Sequence, residues 1–494
     1  MLDLPEEVYS AQHVREFDRA AIEALDISAY ELMCRAGEAA LQCLESHWPQ
    51  IRRLTIFCGA GNNAGDGYVL ARLAARGGFD IRVIAVTPPD GLSGAAASAW
   101  EEFSAGGGEV EPLSAELSLA DDVIVDGLLG TGLDRDLDGA FMTAVTAINT
   151  ASNPVLALDI PTGLHADTGM PMGAAVHADV TITFVGLKSG LFLGRAPDYR
   201  GVVEFAGLGI PEEVYAQHPA ALELLGSHTL RAALPPRRPS THKGSHGNLL
   251  LVGGSPGMAG AIRLAAEAAL RAGAGLVRVA THADCAASVI AGRPEIMCQA
   301  LTEPAELDAL IDVSDAVVVG PGLGRSDWAR HLLERLLATE LPMVLDADGL
   351  NMLAEQPRPR GNWILTPHPG EAARLLQSSV EAIQSDRLQA ARDLVERYQG
   401  VVILKGAGSL VASPDELPVA VCDRGNPGMA TAGMGDVLAG IVGALWVQKV
   451  HARLAAQAAV LLHALAGDAA VTDGQRGLMA RDLMPHIRRW ANPT

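Results

Sequence analysis

The chain has 494 residues, 49% of them apolar and 19% charged; it is too long for a single core and too apolar for disorder, so two or three globular domains are expected. Asp and Glu outnumber Lys and Arg by 58 to 37, and the net charge of −21 argues against nucleic acid or an anionic membrane as a partner. The six cysteines (Cys34, Cys43, Cys58, Cys285, Cys298 and Cys422) form no C-x-x-C pair and no zinc-like spacing, and no apolar run reaches the ~20 residues of a membrane span.

The opening MLDLPEEVYSA is acidic where a secretory signal is basic, so a cytoplasmic location is expected. From residue 54 onward, short β-branched runs alternate with Ala- and Leu-rich stretches, the pattern of parallel strands joined by crossover helices. The first half predicts strands at 54–59, 81–86, 122–127, 155–160, 180–186 and 202–207, with a helix over 69–76 after the first. That first strand runs into GAGNNAGDG (59–67), a glycine-rich loop opening a helix, where backbone N–H groups and the helix dipole favour a phosphate. Its spacing through Gly59, Gly61 and Gly65 is G-x-G-x-x-x-G, not the dinucleotide fingerprint G-x-G-x-x-G, and Asp80 precedes the second strand instead of ending it. Glycines alone make a tight turn; Asn62, Asn63 and Asp66 add polar groups that a turn does not need.

Three more strands end in polar residues: Asp126 in VIVDGLLGTGLDRD (123–136), Asp159 and Thr162 in LALDIPTGL (156–164), and Lys188 in FVGLKSGL (184–191). Ligands bind outside the carboxyl ends of strands in an open parallel sheet, so these groups are expected to share a crevice with the glycine loop. Each alone would serve equally as a helix cap or a salt bridge. Oxygen donors from Asn63, Asp126 and Thr162 suit a hard cation better than zinc.

The segment RAALPPRRPSTHKGSHG (231–247) breaks the rhythm with prolines and basic residues and reads as an interdomain connection, placing the boundary near residue 226. Strands then resume at 248–254, 275–280, 316–320, 343–348, 363–368 and 401–406, with no motif repeated from the first half. Near the end, NPGMATAGMGDVLAGIVGAL (426–445) sets Gly433 and Gly435 before Asp436 and an uncharged helix over 437–447. Small residues let the backbone approach a phosphoryl group, and Asp436 stands ready as a base; the plainer reading makes it a helix cap. No Walker loop is present. His368 stands between two prolines at a strand end, where it either orients a ligand or is structural. Asp346 and Asp348 close a strand, to support a metal or to cap.

The first half resembles NAD(P)H-hydrate epimerase over residues 10–220, on GAGNNAGDG, DGLLGTGL, LDIPTGL and the LKSGL turn. The resemblance implies that Asn62, Asn63, Ala64, Gly65 and Asp66 contact a hydrated nicotinamide nucleotide, with Gly130, Thr131, Gly132, Leu133, Asp134, Arg135, Asp136 and Asp159. It also implies that Asn63, Asp126 and Thr162 hold K+. Ala64 stands where the family usually has glycine, which is tolerable only if that position avoids positive φ. Asp159 is the expected acid/base, and Lys188 a weaker candidate for stabilising charge.

The second half resembles ribokinase-like enzymes, and among them ADP-dependent NAD(P)H-hydrate dehydratase, over residues 235–490. The motifs are KGSHGNLLLVGGSPGMAGAIRLAAEAALRAGAGLV (243–277), VVGPGLG (318–324), LDADGLN (345–351), TPHPGE (366–371), LKGAGS (404–409) and AGMGD (432–436). It implies that Lys405, Gly406, Ala407, Gly408, Ser409 and Gly435 bind the adenine nucleotide, while Ala261, Gly322, His368 and Asp436 face the hydrated substrate. Together the resemblances imply an α/β chain of two domains. A Rossmann-like three-layer α/β sandwich is expected over 1–225 and a ribokinase-like α/β domain over 226–494. The first would epimerise the R and S hydrates of NADH and NADPH (NADHX and NADPHX), with Asp159 catalytic. The second would dehydrate the S form with ADP and Mg2+, releasing AMP and phosphate, with Asp436 catalytic. A homo-oligomer is expected. The alternatives are a kinase for a small alcohol or vitamin precursor, and a first domain that binds without catalysis.

Overall fold

The computed structural model describes residues 4–493 other than 115, 116, 118, 120 and 121, so the first three residues of MLDLPEEVYSA fall outside it. The chain forms two compact units, Met1–Glu223 and Leu224–Thr494. Among the described residues no helix is long and apolar enough to cross a membrane. All six cysteines are free thiols.

The first unit is built on β1 (Arg53–Cys58), β2 (Asp80–Ala85), β3 (Val110–Pro112), β4 (Val123–Gly127), β5 (Val155–Leu158), β6 (Val180–Phe184) and β7 (Val202–Ala206). They pair in the order β3-β2-β1-β4-β5-β6-β7, and every pair is parallel. The order reverses at β1/β4, the switch point at which a doubly wound sheet opens a ligand crevice. The strands are apolar on both faces because both faces are covered. Leu54, Ile56 and Cys58 pack into the core beneath the helices Ala29–His47 and Asn62–Arg76, while Phe57 and Ile124 pack against Ala144, Val145 and Ile148 of the helix Gly139–Thr150. Helix, sheet and helix make three layers.

The second unit carries β8 (Asn248–Val252), β9 (Leu276–His282), β10 (Met297–Leu301), β11 (Ala316–Val319), β12 (Met343–Leu345), β13 (Trp363–Leu365), β14 (Val401–Leu404), β15 (Ser409–Ala412) and β16 (Val419–Cys422). The order is β10-β9-β8-β11-β12-β13-β14-β15-β16, parallel up to β14 and antiparallel through the last two strands. On one face Leu249 and Leu251 meet the helices Ala259–Arg271, Met434–Val447 and Ala452–Ala469. Gly440 lets the first two of these cross closely, since a Cβ there would sit 2.1 Å from the Ala265 carbonyl oxygen.

Two helices begin earlier than their apolar periodicity predicts. The helix expected from residue 69 starts at Asn62, and the one expected from 437 starts at Met434. In both, the polar or glycine-rich motif is the first helical turn, where tertiary context overrides the low helix propensity of its residues. The strands Val110–Pro112, Met297–Leu301, Ser409–Ala412 and Val419–Cys422 lie outside the predicted set; Met297–Leu301 is a half-exposed edge strand with little β-branching.

Candidate active sites

In the first unit a cavity of about 640 Å³ opens at the carboxyl ends of the strands. Asn62, Asn63 and Asp66 reach it from the helix after β1, the loop Gly130–Asp136 from the segment after β4, and Asp159 and Lys188 from the segments after β5 and β6. Gly61 is the N-cap and has no side chain to bond the first-turn amides; its carbonyl accepts from Ala64 N (3.0 Å) and Gly65 N (3.2 Å), which leaves the amides of Asn62 and Asn63 uncapped. Ala64 and Gly65 do not line the cavity: Ala64 is in the core, and a Cβ on Gly65 would strike Met33. Ala64 lies in the helix and its φ is not positive, so this departure from glycine is accommodated.

At the cavity floor the buried Lys188 ammonium donates to Asp159 Oδ1, to Thr183 Oγ1 (2.9 Å) and to the Phe184 carbonyl (2.8 Å). Lys188 is 1% exposed and Asp159 17%, so the carboxylate is the member of the pair that a ligand can touch. Asp159 has φ +66° and Val185 has φ +66°, a conformation rare for any L-residue and rarer for a β-branched one. Two such residues, one of them a member of the ion pair, cost about 1–3 kcal/mol each and persist because the surrounding packing over-determines them. Asp18, from the helix Ala11–Leu25, joins them; burial pushes its carboxyl up to about 6, Lys188 opposing and Asp159 adding. Burial likewise holds the Asp66 carboxyl well above its usual range. Sequence reading missed Asp18, since an acid on an amphipathic helix carries no local signal.

Asp126 and Thr162 lie beneath the cavity. Asp126 is fully buried, accepting from Thr162 N (2.8 Å), Thr162 Oγ1 (2.7 Å) and Leu128 N (3.2 Å), and burial raises its carboxyl to about 6. Close by, both side-chain polar atoms of the buried Asn63 lack a hydrogen-bond partner. A buried amide costs about 1–3 kcal/mol when unsatisfied, so its carbonyl oxygen calls for a cation or donor that the chain does not supply.

In the second unit the carboxyl ends of β12, β13 and β14 bring Asp346, Glu371 and Lys405 together. Lys405 Nζ donates to Asp346 Oδ1 (2.7 Å) and lies 3.8 Å from Glu371 Oε2. Thr366 Oγ1 donates to the same Asp346 oxygen (2.7 Å). Asp436 stands in the first turn of the helix Met434–Val447, where the N-cap is Gly433 (φ +93°) and no side chain caps. It is therefore no cap. Burial, then the negative charges of Asp346 and Asp348, lift its carboxyl to about 7, with Lys405 opposing. Ala347, between those two acids, has φ +48°, a second strained position at a carboxylate cluster.

The loop Lys405–Ser409 is held from below. Arg387, 4% exposed, donates through one nitrogen to the carbonyls of Leu404 (3.2 Å), Lys405 (3.3 Å) and Gly408 (3.3 Å) and through the other to Gln384 (2.9 Å). Burial lowers its pKa to about 10, which leaves it charged at neutral pH. Arg387→Met is expected to destabilise the unit by about 3 kcal/mol, because three loop carbonyls lose a charged donor. Denaturant titration reads that change.

Ala261 and Gly322 pack together, a Cβ on Gly322 falling 3.1 Å from Ala261 Cβ. His368 is the N-cap of the helix Pro369–Leu376: its Nδ1 accepts from Gly370 N (3.0 Å) and Glu371 N (3.4 Å), while Glu371 accepts from His368 N (2.8 Å). The ring thus has a structural role on one edge, and on the other its Nε2 lies 3.5 Å from Oε1 of the buried Glu371. Asp346, Asp348, Glu371 and Arg387 had no assigned role from sequence. The first two close a predicted strand, Glu371 lies in a motif, and Arg387 gives no signal at all.

Two family models match this chain: one described as NAD(P)H-hydrate dehydratase over residues 249–489, and one described as YjeF-related protein N-terminus over 29–190. A bifunctional NAD(P)H-hydrate repair enzyme of Coxiella burnetii is 47% identical over 98% of this chain and 99% of its own length. The protein of that name in Escherichia coli is 44% identical over 100% and 95%. Among solved structures, an ADP/ATP-dependent NAD(P)H-hydrate dehydratase of Bacillus subtilis, co-crystallised with ATP and Mg2+, is 30% identical with a TM-score of 0.50, covering 54% of this chain and 96% of that one. A ribokinase-like protein of Enterococcus faecalis gives a TM-score of 0.51 at 26% identity, over 55% of this chain and 95% of that one. With relatives this similar along the whole chain, the protein belongs to the bifunctional NAD(P)H-hydrate repair enzyme family.

Proposed function

We propose that the first unit interconverts the R and S hydrates of NADH and NADPH, and that the second dehydrates the S hydrate with a nucleotide phosphoryl donor, ADP. The observation that carries the reading is that each unit sets an accessible carboxylate, Asp159 or Asp436, beside a lysine at the strand ends, next to a helix N-terminus without a side-chain cap.

Epimerisation needs no redox change; it needs a proton moved at the hydrated ring carbon and a transient charge tolerated. Asp159 moves the proton, and the Lys188 ion pair orients its carboxylate. The uncapped amides at Asn62 and Asn63 receive the substrate phosphate. Asn63, Asp126 and Thr162 offer only oxygens, and the unpartnered Asn63 amide with the buried Asp126 carboxyl fits a monovalent cation such as K+. A K+ ion held by Asn63, Asp126 and Thr162 would supply positive charge beside the substrate. Asn63→Ala is expected to weaken the dependence of epimerase rate on K+ by about tenfold while leaving dehydration unchanged. Titrating K+ against a large organic cation checks this, and an unaltered K+ curve removes Asn63 from the set.

Hydroxide is a poor leaving group, so the second unit is read as moving the terminal phosphoryl of ADP onto the hydrate's hydroxyl. The C–O bond then breaks, phosphate departs, the adjacent ring carbon gives up a proton to solvent, and the reduced ring is restored, with AMP as the other product. Asp436 accepts the hydroxyl proton, and the amides after Gly433 and the Lys405 ammonium face the charge spread over the phosphoryl oxygens. The Bacillus subtilis relative was co-crystallised with ATP and Mg2+; here a Mg2+ would neutralise phosphate charge, with carboxylate oxygens offered by Asp346 and Glu371, which share the Lys405 ammonium. A base must be deprotonated to act. With the Asp436 carboxyl raised to about 7, dehydratase kcat/KM is expected to rise with pH through that value and then level. A profile flat from pH 5 to 9 would remove Asp436 as the base.

A further inference from the structure

The second unit holds another concavity, about 990 Å³ in volume, away from the acid cluster. Asp346, Lys405 and Asp436 follow the carboxyl ends of the strands. This cleft instead gathers residues that precede strands: Arg237 and Arg238 before β8, Gly273 before β9, and Arg293 before β10. Arg271 joins it from the last turn of the helix Ala259–Arg271, and Gln448 from the far end of the helix that begins beside Asp436. It therefore lies at the amino ends of the strands, opposite the ends that carry the loop Lys405–Ser409.

Five arginines, the four named and Arg488, face two acids, Glu267 and Glu295, in a chain whose net charge is −21. Glu267 is engaged by Arg293 (2.5 Å), whose Nε is nevertheless buried without an acceptor. Arg237 donates to the Gly273 carbonyl and to Gln448 Oε1 (2.8 Å), so it closes two helix ends. The side chains of Arg238, Arg271 and Arg488 make no hydrogen bond or ion pair among the described residues. Collecting guanidinium groups in one cleft costs self-repulsion; helix C-termini can explain Arg237, Arg271 and Arg488, and Glu267 pairs with Arg293, but neither explains Arg238. Planar guanidinium forks match phosphate oxygens, the walls at Pro235 and Leu270 are apolar, and the volume suits a small-molecule ligand.

We infer that this cleft binds a phosphorylated metabolite of nucleotide size, at a site separate from the loop Lys405–Ser409. Calorimetric titration of the full chain with inorganic pyrophosphate at low salt tests it, comparing wild type with Arg238→Gln/Arg271→Gln. The expected result is one pyrophosphate fewer per chain in the variant, or a loss of affinity of about tenfold or more at that site, with dehydratase turnover on ADP kept within about twofold. Arg238→Lys/Arg271→Lys keeps the charge and the fold and is expected to fall between the two. Pyrophosphate stoichiometry and affinity unchanged in the Gln variant overturn the inference. So does unchanged binding accompanied by a shift in oligomeric mass, which would assign the cleft to an acidic segment of a second copy.

Discussion

Asp436→Asn is expected to lower kcat/KM for nucleotide-dependent dehydration by about 100- to 10,000-fold, the range over which a positioned general base contributes. The substitution keeps shape and volume, and the carboxyl it replaces is lifted to about 7 by burial and by Asp346 and Asp348, so the amide relieves repulsion and the unit should be no less stable. Stability and activity thus move in different directions, which separates a chemical role from a structural one. Single-turnover measurement with ADP and Mg2+ checks the rate, and denaturant titration the fold. Full activity in this variant would leave the first turn of the helix as a phosphate cradle without a base.

Asp159→Asn is expected to reduce R-to-S interconversion by a comparable factor, with dehydration of the S hydrate untouched. Here a stability cost accompanies the loss: Lys188 is 1% exposed, and removing its anion leaves a buried ammonium, worth about 3 kcal/mol. The pair Asp159→Asn/Lys188→Met removes both charges and should recover much of that stability without recovering epimerisation. If the double variant regained epimerase activity, the ion pair would be scaffolding and Asp18 or Asp66 would become the acid/base.

Much of both sites can be read from local signals. Asn62 and Asp66 within glycines, Asp159 at a strand end before Pro161, and Gly433 and Gly435 before Asp436 are each dense in residues that a turn or a cap would not need. Where the helices begin was less legible, because the turns opened by Asn62 and Met434 are polar or glycine-rich and carry no apolar period. Partners were not legible at all when they came from distant segments. Asp18 meets Asp159 and Lys188 only after the helix Ala11–Leu25 docks, and Arg387 reads as one more charge on a polar helix until three carbonyls close on it. His368 shows the converse, a residue conspicuous between prolines whose Nδ1 is spent on capping a helix. Backbone strain at Asp159, Val185 and Ala347 has no sequence signature, since no glycine marks those positions.

The proposed function sets two carboxylate sites in series on one chain. The direct test starts from mixed R and S hydrates of NADH, with ADP, Mg2+ and K+, and follows the absorbance of the reduced nicotinamide over a time short against spontaneous epimerisation. Wild type is expected to return all of the NADH, Asp159→Asn only the S fraction, and Asp436→Asn none. Equal recovery by wild type and Asp159→Asn would contradict an epimerase in the first unit, and recovery by Asp436→Asn would contradict the dehydratase site in the second.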